Sequence, residues 1–313
     1  MSAKDRTAGE GSKIKVRVPA SSANLGPGFD TLGLALNLYL DVTIEESPGL
    51  PSVQVFGEGR DYLQENPDQN LMLKALHLFY AKLHQPLPDL NIQMDSQIPV
   101  ARGLGSSAAA VVAGLCAANA LSRKAATLES ILDMALEMEG HADNIVPALM
   151  GGLNCVMIYQ GKVYHQPVAL PDELNIVLAV PDFALATEKA RGVLPETVSL
   201  KDTVSNLQRA CFLLAGLFNR NTLHMEKAMD DMIYQPLRKQ LIPGFDRVMQ
   251  GARQAGALGA ALSGAGPSVL AFCRQEGELV GRAMQDGFSS AGVKSRIFHL
   301  RPDYAGVQVH IEL

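Results

Sequence analysis

Three glycine-rich segments hold the side chains best suited to gripping a small polar molecule. Pro19-Ala20-Ser21-Ser22-Ala23-Asn24-Leu25-Gly26-Pro27-Gly28-Phe29-Asp30 reads as a tight loop that carries an amide at Asn24 and a carboxylate at Asp30. Both accept hydrogen bonds from a polar substrate, and Asp30 suits an ammonium group. An ordinary turn of Asn, Gly and Pro would look the same. Ile98-Pro99-Val100-Ala101-Arg102-Gly103-Leu104-Gly105-Ser106-Ser107-Ala108-Ala109 runs from a strand end, through two glycines, into an Ala-rich helix. Glycines let the backbone aim N–H groups at an anion, the helix N-terminus adds partial positive charge, and serine hydroxyls donate to phosphate or ligate Mg²⁺. The competing reading is close packing of helix on sheet with Ser as the N-cap. No Lys follows the second Gly, so the pattern is not a Walker loop, and no second strand ending in an acid completes a dinucleotide fingerprint. Gly259 to Val269 (GAALSGAGPSV) is a strand-turn-strand segment whose small residues point to close approach of another loop or a ligand. Gly140-His141-Ala142-Asp143-Asn144 places three polar side chains just past a helix end.

The elements that hold these segments follow from periodicity. Ile14 to Val18, Leu40 to Glu46 and Ser52 to Phe56 alternate like strands. A helix is expected from Leu71, a strand at Leu90 to Met94, then helices from Ser106 and over Leu128 to Glu139, the latter ended by Gly140. Leu153 to Tyr159 and Lys162 to Val168 form a hairpin around Gln160-Gly161, and Leu170-Pro171-Asp172 marks a domain boundary. Beyond it come a strand at Leu174 to Val180, helices near 203–219 and 245–255, two short strands around the third glycine-rich turn, a helix near Glu276 to Ala291 and strands at Val293 to Leu300 and Val307 to Leu313. Strands and helices mixed without regular βαβ alternation indicate an α+β fold.

The 313 residues carry 27 Lys and Arg against 32 Asp and Glu, a formal charge of −5. That balance offers no basic footprint, so neither nucleic acid nor an anionic membrane is expected as a partner. With 47% hydrophobic residues the chain can bury a sizeable core. The longest apolar stretch, Ala108 to Leu121, is interrupted by Asn119 and falls short of the ~20 residues of a membrane helix. The first residues, MSAKDRTAGEGSK, have no apolar core and read as a mobile leader over 1–12, which places the protein in the cytoplasm. Cys116, Cys155, Cys211 and Cys273 form no CxxC pair and are expected as buried free thiols.

The three segments, in this order and spacing, resemble the GHMP kinase superfamily from about Lys15 to the last strands. The resemblance implies an α+β fold of two parts: an ATP-binding N-terminal domain over 13–171 like domain 2 of ribosomal protein S5, and a ferredoxin-like C-terminal domain over 172–313. ATP and substrate would meet in the cleft between them. Pro99, Val100, Ala101, Arg102, Gly103, Leu104, Gly105, Ser106, Ser107, Ala108 and Ala109 would hold ATP, with Asn70 at the adenine. Ser107 would ligate Mg²⁺ with a Glu of the following helix, Glu137 fitting the pattern better than its competitor Glu139.

PxSSANLGPGFD, EGHADN and SGAGPS look most like members that phosphorylate an amino-acid hydroxyl, which implies L-homoserine as substrate and a place in threonine synthesis. Asp30, His141 and Asp143 would line the amino-acid site, Arg191 and Arg238 would hold its carboxylate, and Thr187 would supply a hydroxyl. Asn144 stands where mevalonate kinase has a catalytic Asp. An amide cannot act as a base, so Asn24 and Asn144 are expected to serve a direct in-line transfer. Another small hydroxylated metabolite, or a ligand sensor without turnover, are the alternatives. A homodimer is one assembly that the sequence allows without deciding the oligomeric state.

Overall fold

The computed structural model describes residues 13–122, 126–274 and 277–312. The leader expected at 1–12 lies outside the described residues. Strands β1 (Lys13–Asn24) and β2 (Gly28–Glu46) form a long antiparallel hairpin, with register shifts at Pro19/Ala20 and Ala23/Asn24. The first glycine-rich segment is therefore mostly strand, and only Leu25-Gly26-Pro27 turns. Its Ser21 and Ser22 are fully buried, so the ladder there is held by contacts with distant loops and not by apolar alternation. There follow β3 (Ser52–Gly57), α1 (Arg60–Glu65), α2 (Leu71–Lys82), β4 (Leu90–Ser96), α3 (Ser106–Leu121), α4 (Leu128–Glu139), α5 (Ile145–Met150), β5 (Leu153–Tyr159) and β6 (Lys162–Val168).

The second part opens with β7 (Asn175–Pro181) and runs through α6 (Thr187–Gly192), α7 (Leu200–Phe218), α8 (Met225–Ala228), α9 (Gln235–Arg238) and α10 (Phe245–Gln254) to β8 (Gly259–Leu262) and β9 (Val269–Cys273). Then come α11 (Glu278–Ser289), β10 (Ser295–Leu300) and β11 (Gln308–Glu312). Sheet order β10-β7-β9-β8, all antiparallel, is the 4-1-3-2 arrangement of a ferredoxin-like unit. The other sheet runs β11-β1-β2-β4-β3, with β5 on the far half of β2 and β6 on β5. Its last member returns from the C-terminal part: β11 pairs with β1, Lys13 opposite Glu312.

Helix α3 is Ala- and Val-rich on all sides and almost wholly buried, as a helix without a polar face must be. Its Gly114 lets the backbone of α2 approach, since a Cβ there would fall 2.3 Å from the Met72 carbonyl oxygen. Cys116 and Cys273 are buried as expected, whereas Cys211 is exposed on α7 and Cys155 half-buried. All four are free.

Candidate active site

The three glycine-rich segments interlock. Gly103 sits at φ +73°, and a Cβ there would fall 2.1 Å from the Ser263 carbonyl oxygen. Ser263 Oγ donates to the Gly103 carbonyl at 2.7 Å and shares a 2.8 Å hydrogen bond with Ser22 Oγ. Asn24 Nδ2 donates to the Gly264 carbonyl at 2.9 Å while its Oδ1 accepts from the Asp30 N–H at 3.0 Å. Both ends of that amide clamp the turn. Arg102 ties the loop to β7, donating to the carbonyls of Pro181 and Asp182 at 2.9 Å each.

Gly105, at φ +66°, is the N-cap of α3 and supplies no side chain, so the first-turn N–H groups stay available to an anion. The alternative of a serine N-cap does not hold, because Ser106 already lies inside the helix. Leu104, Ala108 and Ala109 are buried in the core, which leaves them only backbone contacts to offer a nucleotide. Pro99, Val100 and Ala101 lead into the loop, and Val100 lies against Gly59, where a Cβ would come within 2.8 Å of Val100 Cγ2.

Ser107 Oγ donates to the carboxylate of Glu139. Glu137 points elsewhere: it pairs with Lys82 Nζ at 2.8 Å, both side chains half exposed. Two residues apart on a helix means about 200° of rotation, so only one of the two acids can face Ser107. The preference for Glu137 beside Ser107 is thereby corrected to Glu139. A hydroxyl and a carboxylate form an oxygen donor pair of the kind a hard cation takes. Among the described residues no cluster of three or more His, Cys, Asp or Glu gathers for a metal.

Asn70 caps α2, its Oδ1 accepting from the N–H groups of Met72 at 3.1 Å and Leu73 at 3.3 Å. It also lines a cavity of about 480 Å³ walled by Val53, Val55, Phe56, Arg60, Leu63 and Pro67. Sequence reasoning missed this wall. The solvent-facing Val53 and Phe56 on β3 were its only signal.

On the other side of the loop, Asp30 and Arg191 form a bidentate pair at 2.8 and 3.1 Å. The carboxylate expected to meet an amine and the guanidinium expected to meet a carboxylate thus satisfy each other. Arg238 is 2% exposed and donates to the carbonyls of Ala190 and Gly264, each at 3.2 Å. Burial, then the charge of Arg191, lowers its pKa from the ordinary value. Both guanidinium groups lie over the Phe29 ring, 5.4 Å for Arg191 and 5.1 Å for Arg238, and Phe29 stacks on Tyr234 at 3.8 Å. These aromatic partners were also missed, Phe29 within the motif itself.

His141 Nδ1 is 2.8 Å from Asp143 Oδ1. Burial works to lower the imidazole pKa, but the hydrogen bond and charge of Asp143, helped by Glu139, raise it overall. Asn144 Oδ1 accepts from Ser21 Oγ at 2.9 Å. Thr187 opens α6 at the surface. The arrangement brings an uncapped helix end, an acid-hydroxyl pair and a cluster of paired charges around one loop.

Comparison with known proteins agrees with this geometry. The GHMP kinases N terminal domain matches residues 70–152 and the GHMP kinases C terminal domain matches 213–290. A homoserine kinase of Persephonella marina is 40% identical over 298 residues, covering 95% of this chain and 98% of its own. One of Moorella thermoacetica is 42% identical over 294 residues, covering 94% and 99%. The crystal structure of homoserine kinase from Cytophaga hutchinsonii superposes with a TM-score of 0.86 at 30% identity, covering 99% of this chain and 100% of that one. The crystal structure of L. major mevalonate kinase, at 21% identity and TM-score 0.70 over 96% of this chain and 98% of that one, shares the fold. The chain belongs to the GHMP kinases. Within them its family is that of the homoserine kinases.

Proposed function

We propose that this chain transfers the γ-phosphoryl group of ATP to the side-chain hydroxyl of L-homoserine, giving O-phospho-L-homoserine for threonine synthesis. The observation that carries this reading is the junction of the uncapped α3 N-terminus with a charge cluster of both signs, Asp30, Arg191, Arg238, His141 and Asp143, gathered around the interlocked loops. Phosphoryl transfer needs little covalent help from a protein: a cradle for the phosphates, charge neutralisation and an aligned hydroxyl suffice. Gly103 to Ser107 supply the cradle, and the cavity beside Asn70 takes the adenine. Ser107 and Glu139 would hold Mg²⁺, which neutralises charge that develops on the transferring group. The charges of Asp30 and Asp143 receive the substrate amine and those of Arg191 and Arg238 its carboxylate, with Thr187 nearby. Asn144 offers amide donors and no base, so the hydroxyl attacks directly.

The test is ADP release from purified protein with ATP and Mg²⁺ and, in turn, L-homoserine, 4-hydroxybutyrate and mevalonate. Preference for L-homoserine is the expected result. Equal use of another alcohol would replace the substrate, and ligand binding without turnover would make the chain a sensor. A reducing cytoplasm suits its four free thiols. For the homodimer, the exposed Leu200, Val204, Leu207 and Phe218 on α7, spaced like a coiled-coil seam, are the face we assign to a second copy, with light scattering as the check.

A further inference from the structure

Ser21 lies in the first glycine-rich segment, yet its side chain is wholly buried and reaches no open part of the cleft. Its hydroxyl nonetheless touches the two groups closest to the chemistry. Ser21 Oγ donates to Asn144 Oδ1 at 2.9 Å, with the Asn144 carbonyl a longer second acceptor at 3.3 Å. It also packs beneath the phosphate loop: a Cβ on Gly105 would fall 2.1 Å from Ser21 Oγ, and the Ser21 N–H donates to the Leu104 carbonyl at 3.1 Å. A side-chain amide has an acceptor end and a donor end, and rotation by half a turn exchanges them. With Oδ1 held by the hydroxyl, the Nδ2 end of Asn144 is the free end, and it makes no hydrogen bond among the described residues.

We infer that Ser21 is a positioning residue for phosphoryl transfer: its buried hydroxyl anchors the Oδ1 end of the Asn144 amide, so that the side chain is held in one place with its Nδ2 donors toward the reacting oxygens. The inference rests on the reading of Asn144 as part of the transfer site. Without the hydroxyl, Oδ1 has no internal donor and the amide is free to move off the reacting oxygens. A developing negative charge is stabilised by donors held in place beforehand, and loses that benefit when they must reorient.

The test is a double-mutant cycle of Ser21→Ala, Asn144→Ala and the two combined, read as kcat and as KM for ATP and for L-homoserine, with thermal unfolding of each variant. Ser21→Cys, close in volume and a weak donor, controls for the space left by alanine. The expected result is a fall in kcat of about tenfold to a hundredfold for Ser21→Ala and Ser21→Cys, less than when a transition-state donor is removed outright, with both KM values near wild type. In the Asn144→Ala background, Ser21→Ala should cost nothing more. Multiplying losses in the double variant would overturn the inference, because Ser21 would then act independently of Asn144. So would a rise in KM for ATP at unchanged kcat, which would make Ser21 a mere support of the phosphate loop. If Asn144→Ala alone kept full kcat, the role given to Asn144 would fall first, a result distinct from either of those.

Discussion

Asp30 and Arg191 neutralise one another through two hydrogen bonds, and an α-amino acid zwitterion carries both charges that can take their places. In the proposed site its ammonium would answer Asp30 and its carboxylate Arg191. A substrate with only the carboxylate separates the pair and compensates one half of it, and because both side chains are more than a third exposed the stranded partner costs on the order of 1 kcal/mol. The kcat/KM for 4-hydroxybutyrate is therefore expected to lie several-fold or more below that for L-homoserine, and Arg191→Leu should lower homoserine use on a similar scale. Arg238→Leu should behave differently, since that guanidinium also holds the Ala190 and Gly264 carbonyls. Its loss should lower the unfolding temperature as well as activity, which calorimetry beside kinetics would separate. His141 supplies a pH handle. Its folded pKa is raised above the ordinary 6.5, against the opposing effect of burial, by Asp143. The stabilisation from that pair is full below the unfolded value and disappears as pH rises through the folded one. His141→Gln should thus cost more stability at about pH 6 than at about pH 9, as read by denaturant unfolding at each pH.

Helix α4 illustrates why phase within an element decides chemistry. Glu137 and Glu139 sit on different faces, one on Lys82 and one on Ser107. Glu139→Gln and Ser107→Ala are expected to depress turnover strongly and to raise the Mg²⁺ needed for half-maximal rate. Glu137→Gln, which removes a surface pair worth at most about 1 kcal/mol, should stay near wild type in the same titration. The turn into α3 is as demanding. Gly103→Ala adds the strain of a left-handed residue, about 1–2 kcal/mol, and also drives a methyl into the Ser263 carbonyl 2.1 Å away. Gly161→Ala, at φ +74° with nothing within 4 Å, should cost the strain alone. Thermal shifts and ATP affinity of the two variants give the comparison, with only Gly103→Ala weakening ATP. These cases also mark what was legible beforehand. Helix α4 and the β5–β6 hairpin were read at their bounds because Gly140 and Gln160-Gly161 are local signals. Helices α1, α5, α6, α8 and α9 are six residues or fewer, too short for periodicity to reveal. The choice between Glu137 and Glu139 and the Asp30–Arg191 pair depend on partners more than thirty residues away or on the other side of a helix, which no local pattern encodes, while the strand character of Ser21 and Ser22 depends on pairing with Ala35 and Leu34 and on burial against Asn144 and Ser263.

Across the whole molecule, the two apolar cores share a boundary at the interlocked loops, and each holds one buried thiol. Cys116 belongs to the larger cluster and Cys273 to the smaller. Burial pushes these thiols up to about 12 and about 11, so neither reacts until its surroundings open. Labelling under rising denaturant should reach Cys116 and Cys273 at the same denaturant concentration, because the loops bind the two cores into one cooperative unit. Separate onsets would mean that the halves open independently. The pairing of β11 with β1 adds a constraint of time. Lys15 and Glu312, joined at 2.6 Å across that pair, are 297 positions apart in the chain. At about 5–20 residues per second of synthesis, the outer edge of β1 waits on the order of 15–60 s for its neighbour. Throughout that interval the nascent first half presents a long strand edge to whatever else is present, so chaperone shielding of β1 would matter most for this chain while it is still on the ribosome.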